Sequence, residues 1–168
     1  MEKGRLLIID DDPSVRDLLS TILSGAGGYY TDTAVDGLEG LEKIKSQNYD
    51  VVILDLTMPR LSGMELLREM KTINPFIPII VITGNASIES AINAMREGAR
   101  DFITKPFSID KVATTTNRIF NERQLLGSLS DGRNFDSSLE KLNSELFKKL
   151  QEISLLQSIS EELDRLYD

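Results

Sequence analysis

A doubly wound α/β fold, with five parallel strands and five helices, is predicted by three observations on this 168-residue chain. Apolar runs that do not alternate with polar residues, such as Leu6 to Ile9, Val51 to Leu54 and Ile79 to Ile82, read as strands buried on both faces. Between them lie segments whose apolar residues recur every three or four positions, the period of a helix packed on one side. The two patterns alternate along the chain, which gives a parallel sheet with right-handed crossovers and helices on both faces.

In order, Leu6 to Ile9 is the first strand, and it ends in Asp10-Asp11-Asp12-Pro13. Asp12 is placed to cap the first helix and Pro13 to take its first position, with Val15, Leu18, Leu19, Ile22 and Leu23 on the inner face and Gly25 to Gly28 stopping it. Tyr29 to Ala34 is the second strand, and Asp36 opens a second helix with Leu38, Leu41 and Ile44 inward. The third strand, Val51 to Asp55, is closed by its carboxylate and turned into a loop by Pro59. Ser62 to Glu65 is a capping-box pattern that opens a third helix through Leu66, Leu67 and Met70. Pro78 to Thr83 is the fourth strand, its proline confined to the first position. Ser87 opens a fourth helix, Ile88 to Glu97, which Gly98 ends. Asp101 to Thr104 is a short fifth strand before Lys105-Pro106, and a fifth helix from Ser108 carries Ile109, Val112, Ile119 and Phe120. Gly63 and Gly84 are read as relieving backbone crowding.

The composition removes several chemistries. The chain has no Cys and no His, so disulfides, thiolate zinc sites and His-dependent nucleophilic catalysis are excluded. Nineteen basic against 27 acidic side chains give a formal charge of -8, which argues against nucleic acid and anionic membrane surfaces as partners. The longest apolar runs are too short for a signal peptide or a membrane span, and the expected location is the cytoplasm.

Ligands of open α/β sheets bind outside the carboxyl ends of the strands. There the predicted order collects Asp10 and Asp11 after strand one, Asp55 after strand three, Thr83 at the end of strand four and Lys105 after strand five. Three converging carboxylates call for a hard cation, Mg2+ or Mn2+, and Lys105 and the Thr83 hydroxyl can meet the oxygens of a phosphoryl group carried by Asp55.

Four spaced motifs carry a resemblance: Ile-Ile-Asp-Asp-Asp-Pro at 8–13, Leu-Asp-Leu-Thr-Met-Pro-Arg-Leu-Ser-Gly at 54–63, Val-Ile-Thr-Gly at 81–84 and Asp-Phe-Ile-Thr-Lys-Pro-Phe at 101–107. With them, residues 4 to about 122 resemble the CheY-like receiver domain of two-component response regulators. The resemblance implies a flavodoxin-like strand order of 2-1-3-4-5. It implies Asp55 as phosphoacceptor, Asp11 as a direct Mg2+ ligand, Asp10 as the supporting carboxylate and the Thr57 carbonyl as a further ligand. Thr83 and Lys105 would contact the phosphoryl group, the bond between Lys105 and Pro106 would be cis, and Phe102 would be the aromatic switch, with Thr83 moving alongside it. Where many members carry Tyr this chain has Phe, so only a packing step of that switch is available. The implied partner is a histidine kinase or phosphotransfer protein. The output surface would be the face formed by helix four, strand five and helix five. No enzymatic turnover is implied beyond self-catalysed phosphorylation and dephosphorylation.

A rival reading is an aspartate-nucleophile phosphatase of the haloacid dehalogenase type, which places a general-acid Asp two residues after the nucleophile. Here that position is Thr57. A flavodoxin-like flavin binder shares the architecture, but the acidic cluster would repel its phosphate. The expected division is a receiver over 1–122, a linker over 123–137 and an amphipathic helix over 138–168. Leu139, Leu142, Leu146, Leu150, Ile153, Leu156, Ile159, Leu163 and Leu166 form one stripe, which must be buried against a second copy or the first domain. Its last part, from Glu152, resembles a signalling helix leading into a sensor or output domain. The expectations are a homodimer through this helix and a receiver cut from a longer regulator, the alternative being a stand-alone receiver that acts by binding.

Overall fold

The computed structural model describes residues 3–58, 61–84, 87–128 and 135–167. Five strands and six helices follow in the order β1 (Arg5–Ile9), α1 (Pro13–Gly25), β2 (Tyr30–Ala34), α2 (Gly37–Ser46), β3 (Val51–Leu54), α3 (Gly63–Ile73), β4 (Ile79–Thr83), α4 (Ile88–Arg96), β5 (Asp101–Thr104), α5 (Ile109–Ser128) and α6 (Phe135–Tyr167). The strands form one parallel sheet in the order β2-β1-β3-β4-β5. The predicted Pro59 lies outside the described residues. Among those described, no helix is long and apolar enough to cross a membrane.

Successive strand residues point to opposite faces, so the non-alternating runs feed two cores. Leu7, Ile9, Val52, Leu54, Ile79 and Val81 meet Leu41, Leu66, Leu67, Met70 and Met95 on one face. On the other, Leu6, Ile8, Ile53, Ile80 and Ile82 meet Leu19, Leu23, Val112 and Phe120. Each fully buried aliphatic side chain contributes about 1.5–3 kcal/mol relative to exposure, which is why the inner strands tolerate no polar residue until their ends. The helix starts are capped as their sequences predict. Asp12 accepts from the Ser14 amide, Asp36 from Glu39, Ser62 from Glu65, Ser87 from Ser90 and Ser108 from Lys111. Glu39 also reaches back to accept from the Val35 amide at 3.0 Å, one residue before the cap.

Three sequence readings are corrected. Leu18 and Leu38 are exposed rather than inward. Leu18 lies at the margin of the α1 stripe, and Leu38 sits in the first turn of α2, where Gly37 and Gly40 make the approach instead. A Cβ on Gly40 would lie 2.6 Å from Ile9 Cδ1. Crowding holds for Gly63, whose added Cβ would lie 2.4 Å from both the Asp55 carbonyl and Leu56 Cα. It fails for Gly84, where the nearest atom is 3.7 Å away.

Part of the segment expected as linker is helical. Helix α5 runs to Ser128, six residues into it, and α6 begins at Phe135; residues 129–134 lie outside the described residues, as does the side chain of Leu139. The first half of α6 lies along α4, with Leu146, Leu150 and Ile153 packed against the core cluster. Ion pairs fasten it there. Glu145 pairs with Arg100 at 3.2 Å and Arg118 at 3.9 Å, and Lys149 pairs with Asp101 at 2.8 Å. Asp101 is 1% exposed and also holds Arg118 at 2.6 Å, so α6 completes the solvation of a buried carboxylate.

At the amino-terminal edge of the sheet, α5 and α6 enclose with α3 and α4 an apolar cavity of about 560 Å³. Lys71 lines it. Burial lowers its ammonium to about 8, and Arg100 and Arg123 push the same way, while its Nζ donates to the Ile77 carbonyl at 2.8 Å.

Two outcomes follow from this packing. Gly63→Ala should lose about 1–3 kcal/mol in urea denaturation because backbone must shift, while Gly84→Ala should stay within about 0.5 kcal/mol of the parent. In an NMR titration of 13C-dimethylated lysines, Lys71 should titrate near 8. Folding depresses this pKa, so between about 8 and 10.5 the folded chain binds fewer protons, and the Lys71 contribution to stability rises with pH across that window.

Candidate functional site at the carboxyl edge of the sheet

Register builds the site. Ile9 and Leu54 are partners across β1 and β3, so the residues that follow them, Asp10 and Asp55, lie side by side, and the Asp55 amide donates to the Ile9 carbonyl at 3.0 Å. On the other side, Thr83 and Thr104 are partners across β4 and β5, and the Lys105 amide donates to the Thr83 carbonyl at 2.9 Å. From there the Lys105 side chain crosses the edge: its Nζ donates to Asp10 Oδ2 at 2.9 Å and to Asp55 Oδ2 at 3.0 Å.

The remaining carboxylate oxygens are held by backbone. Asp10 Oδ1 accepts from the Asp12 amide at 2.9 Å, and Asp55 Oδ1 accepts from the Thr57 amide at 3.0 Å. Both carboxylates are buried, at 2% and 5% exposure. Asp11 is exposed, and one oxygen from each of Asp10, Asp11 and Asp55 lies within 4.8 Å of the others. Burial pushes the Asp10 carboxyl above its usual range and the Asp55 charge adds to this; the Asp12 amide and Lys105 pull it down without cancelling the rise. Burial alone would lower Lys105, but its hydrogen bonds to Asp10 and Asp55 outweigh that and hold the ammonium above its ordinary value. The site is therefore a cation-bridged pair of buried carboxylates with a third carboxylate facing water.

This donor set fits a hard divalent cation. All three side chains offer oxygen, two are fixed by backbone amides, and the exposed Asp11 leaves one side open to water, as Mg2+ requires. Thr83 is fully buried at the end of β4, one strand from Asp55, and Thr57 is exposed in the loop two residues beyond it. The peptide bond between Lys105 and Pro106 is cis. Phe102 stands apart from the carboxylates, half-buried in β5 and facing a cavity of about 240 Å³ shared with Ile88 and Ala91 of α4 and Ile153 and Leu156 of α6.

One contributor, Arg16, escaped sequence reading, and a second, Gly63, was read there only as relief of crowding. Arg16 donates to the Asp10 carbonyl at 2.6 Å, tying α1 to the acidic loop; nothing in the sequence marks it out from other helix-surface arginines. Gly63 donates to the Leu56 carbonyl at 3.0 Å, and without a Cβ it lets α3 close on the loop that carries Asp55.

Residues 6–117 match the response regulator receiver domain family. Among curated relatives, the transcriptional regulatory protein ZraR of Klebsiella oxytoca is 36% identical over 124 residues, which are 74% of this chain and 28% of that protein. The DNA-binding transcriptional regulator NtrC of Escherichia coli K12 is also 36% identical over 124 residues, 74% of this chain and 26% of that one. The chain thus spans about a quarter of the length of these relatives. Among solved structures, the receiver domain of NtrX from Brucella abortus is 38% identical with a TM-score of 0.66, covering 69% of this chain and 98% of that one. A receiver domain from Clostridium thermocellum is 35% identical with a TM-score of 0.69, covering 73% and 98%. Five parallel strands in the order 2-1-3-4-5, an acidic pair bridged by a lysine at their carboxyl edge and these matches converge: the chain belongs to the response regulator receiver family, the phosphoacceptor domains of two-component signalling.

Proposed function

We propose that Asp55 is the phosphoacceptor and that Asp10 and Asp11 hold the divalent cation that assists the transfer. The observation that carries this reading is the Lys105 ammonium bound to Asp10 and Asp55 together, with Asp11 in reach of both. A carboxylate oxygen of Asp55 attacks the phosphorus of a phosphohistidine on a partner kinase or phosphotransfer protein. The new O–P bond forms as the P–N bond breaks, and the imidazole leaves. Asp10, Asp11, Asp55 and the Thr57 carbonyl would hold Mg2+, which would supply positive charge to the phosphoryl oxygens. Lys105 supplies the opposing charge, and Thr83 donates its hydroxyl to the same group. The product carries about 1.5–2 negative charges in place of one, which draws Thr83 inward and frees space into which Phe102 turns.

Thr57 stands where a dehalogenase-type phosphatase needs its general acid, so this reading excludes turnover of phosphate esters and leaves self-catalysed phosphorylation and hydrolysis. The reading includes a cytoplasmic location and a homodimer through α6. The signal passes through the α4, β5 and α5 face and through α6 to an output domain or partner, and neither nucleic acid nor membrane is a partner of this chain.

Incubation with acetyl phosphate and Mg2+ should yield an acyl phosphate, read by 31P NMR and by retarded migration in a phosphate-binding gel. Asp55→Asn and chelation should abolish it, and Lys105→Ala should slow it by about 10²–10³-fold through loss of one transition-state charge. Label retained in Asp55→Asn would overturn the assignment, and steady hydrolysis of p-nitrophenyl phosphate would favour the phosphatase.

A further inference from the structure

The apolar cavity of about 560 Å³ lies at the opposite edge of the sheet from Asp55, and the phosphoryl chemistry makes no use of it. Its size falls within the few hundred to about 1,000 Å³ typical of sites for small organic molecules. Met95, Ile119, Leu126, Leu142 and Leu146 supply apolar wall from α4, α5 and α6. Phe76 lines it too and is 82% exposed, an aromatic that the core does not use. The charges on the wall are unequal in sign: Lys71, Arg100 and Arg123 stand against one lining carboxylate, Glu122. Both arginines are engaged. Arg100 holds Glu122 at 2.7 Å and Glu145 of α6 at 3.2 Å, and Arg123 donates to the Asp50 carbonyl at 3.0 Å with the Asp50 carboxylate 4.0 Å away.

Lys71 differs from them. Its stem runs over Gly98, where an added Cβ would lie 3.0 Å from Lys71 Cε, and its Nζ donates to the Ile77 carbonyl at 2.8 Å and the Pro75 carbonyl at 3.4 Å. Among the described residues no carboxylate meets it, and one of its three N–H groups is left over. A half-buried ammonium beside two arginines and without an anion of its own is short of negative charge. We propose that the cavity binds a medium-chain carboxylate, with its chain among the apolar walls and its carboxylate on the remaining N–H of Lys71. The sign of the ligand follows from the three cations. A carboxylate fits better than a phosphate because one donor remains, whereas a phosphate dianion calls for several. A ligand there would touch α4, α5 and α6 at once, so its binding would also hold the first half of α6 on the receiver. None of this depends on the reading of Asp55.

The test uses the whole chain, 13C-labelled at the Met methyl and Lys ε carbons and titrated by NMR with decanoate below its micelle concentration, with decanol as the uncharged control. Decanoate should shift the Met95 and Lys71 signals saturably. Lys71→Met keeps the stem and removes the charge; it should weaken decanoate by about 10–100-fold, the worth of one charge-assisted hydrogen bond, and leave decanol within about twofold. The charged groups around Lys71 are Arg100 from the turn after α4 and Arg123 and Glu122 from α5, with Glu145 and Asp50 behind the arginines. As the ammonium near 8 loses its proton, decanoate affinity should fall about tenfold from pH 7 to pH 9, and Lys71→Met should remove that dependence. Asn143→Trp, from an exposed lining position of α6, spares Lys71 and should block decanoate. Decanoate binding that Lys71→Met and pH leave unchanged would be apolar uptake alone and overturn the proposal. So would undiminished binding by Asn143→Trp, or the absence of any shift at Lys71 and Met95 up to the solubility limit. Acetyl phosphate labelling of the same samples reports folding, and its failure in the parent chain would count against the Asp55 assignment and not against this site.

Discussion

The bridge from the Lys105 ammonium to Asp10 and Asp55 is the interaction on which the rest depends. Two carboxylates buried side by side repel each other and lose hydration, a cost that a single nearby cation can offset only in good geometry. Here the lysine reaches both at hydrogen-bond distance, and a backbone amide meets the other oxygen of each. The cluster remains short of positive charge, with Asp11 facing water, and that shortage is what fits these residues to a divalent cation in the proposed reading.

Bringing these groups together is the work of the parallel sheet. Asp10 and Asp55 are 45 residues apart in the chain and Lys105 a further 50, yet each follows a strand whose carboxyl end lies on one edge. The strands are apolar on both sides because helices cover both, so polarity is confined to their ends. The close approach of α3 over Gly63 then sets the height of the loop behind Asp55.

A second buried carboxylate, Asp101, plays a comparable part for α6. It opens β5, carries Arg118 from α5 and Lys149 from α6, and so couples the placement of the last helix to the strand that holds Phe102. Removing one cation from such a site costs far more than the pair contributes in isolation, because an ion is left buried without a partner. The apolar contacts of Leu146, Leu150 and Ile153 add affinity, while these charges fix the register of α6.

Sequence alone determined the number of strands and their succession along the chain, the caps at Asp12, Asp36, Ser62 and Ser87, and the gathering of Asp10, Asp11, Asp55, Thr83 and Lys105 at one sheet edge, because period and strand-end position are local properties of the chain; the strand order within the sheet came from the family resemblance. It misjudged Leu18 and Leu38, since the width of a buried helix face depends on what the helix meets, and it could not see that Gly37 and Gly40 rather than Leu38 make the approach on α2. Only the tertiary structure decided that Lys105 bridges both carboxylates and that Arg16 ties α1 to the acidic loop. It alone laid half of the α6 stripe on the receiver, through Asp101, Arg100 and Arg118. Those are contacts between residues distant in sequence, where a charged side chain on an exposed-looking helix carries no mark of the partner it will find.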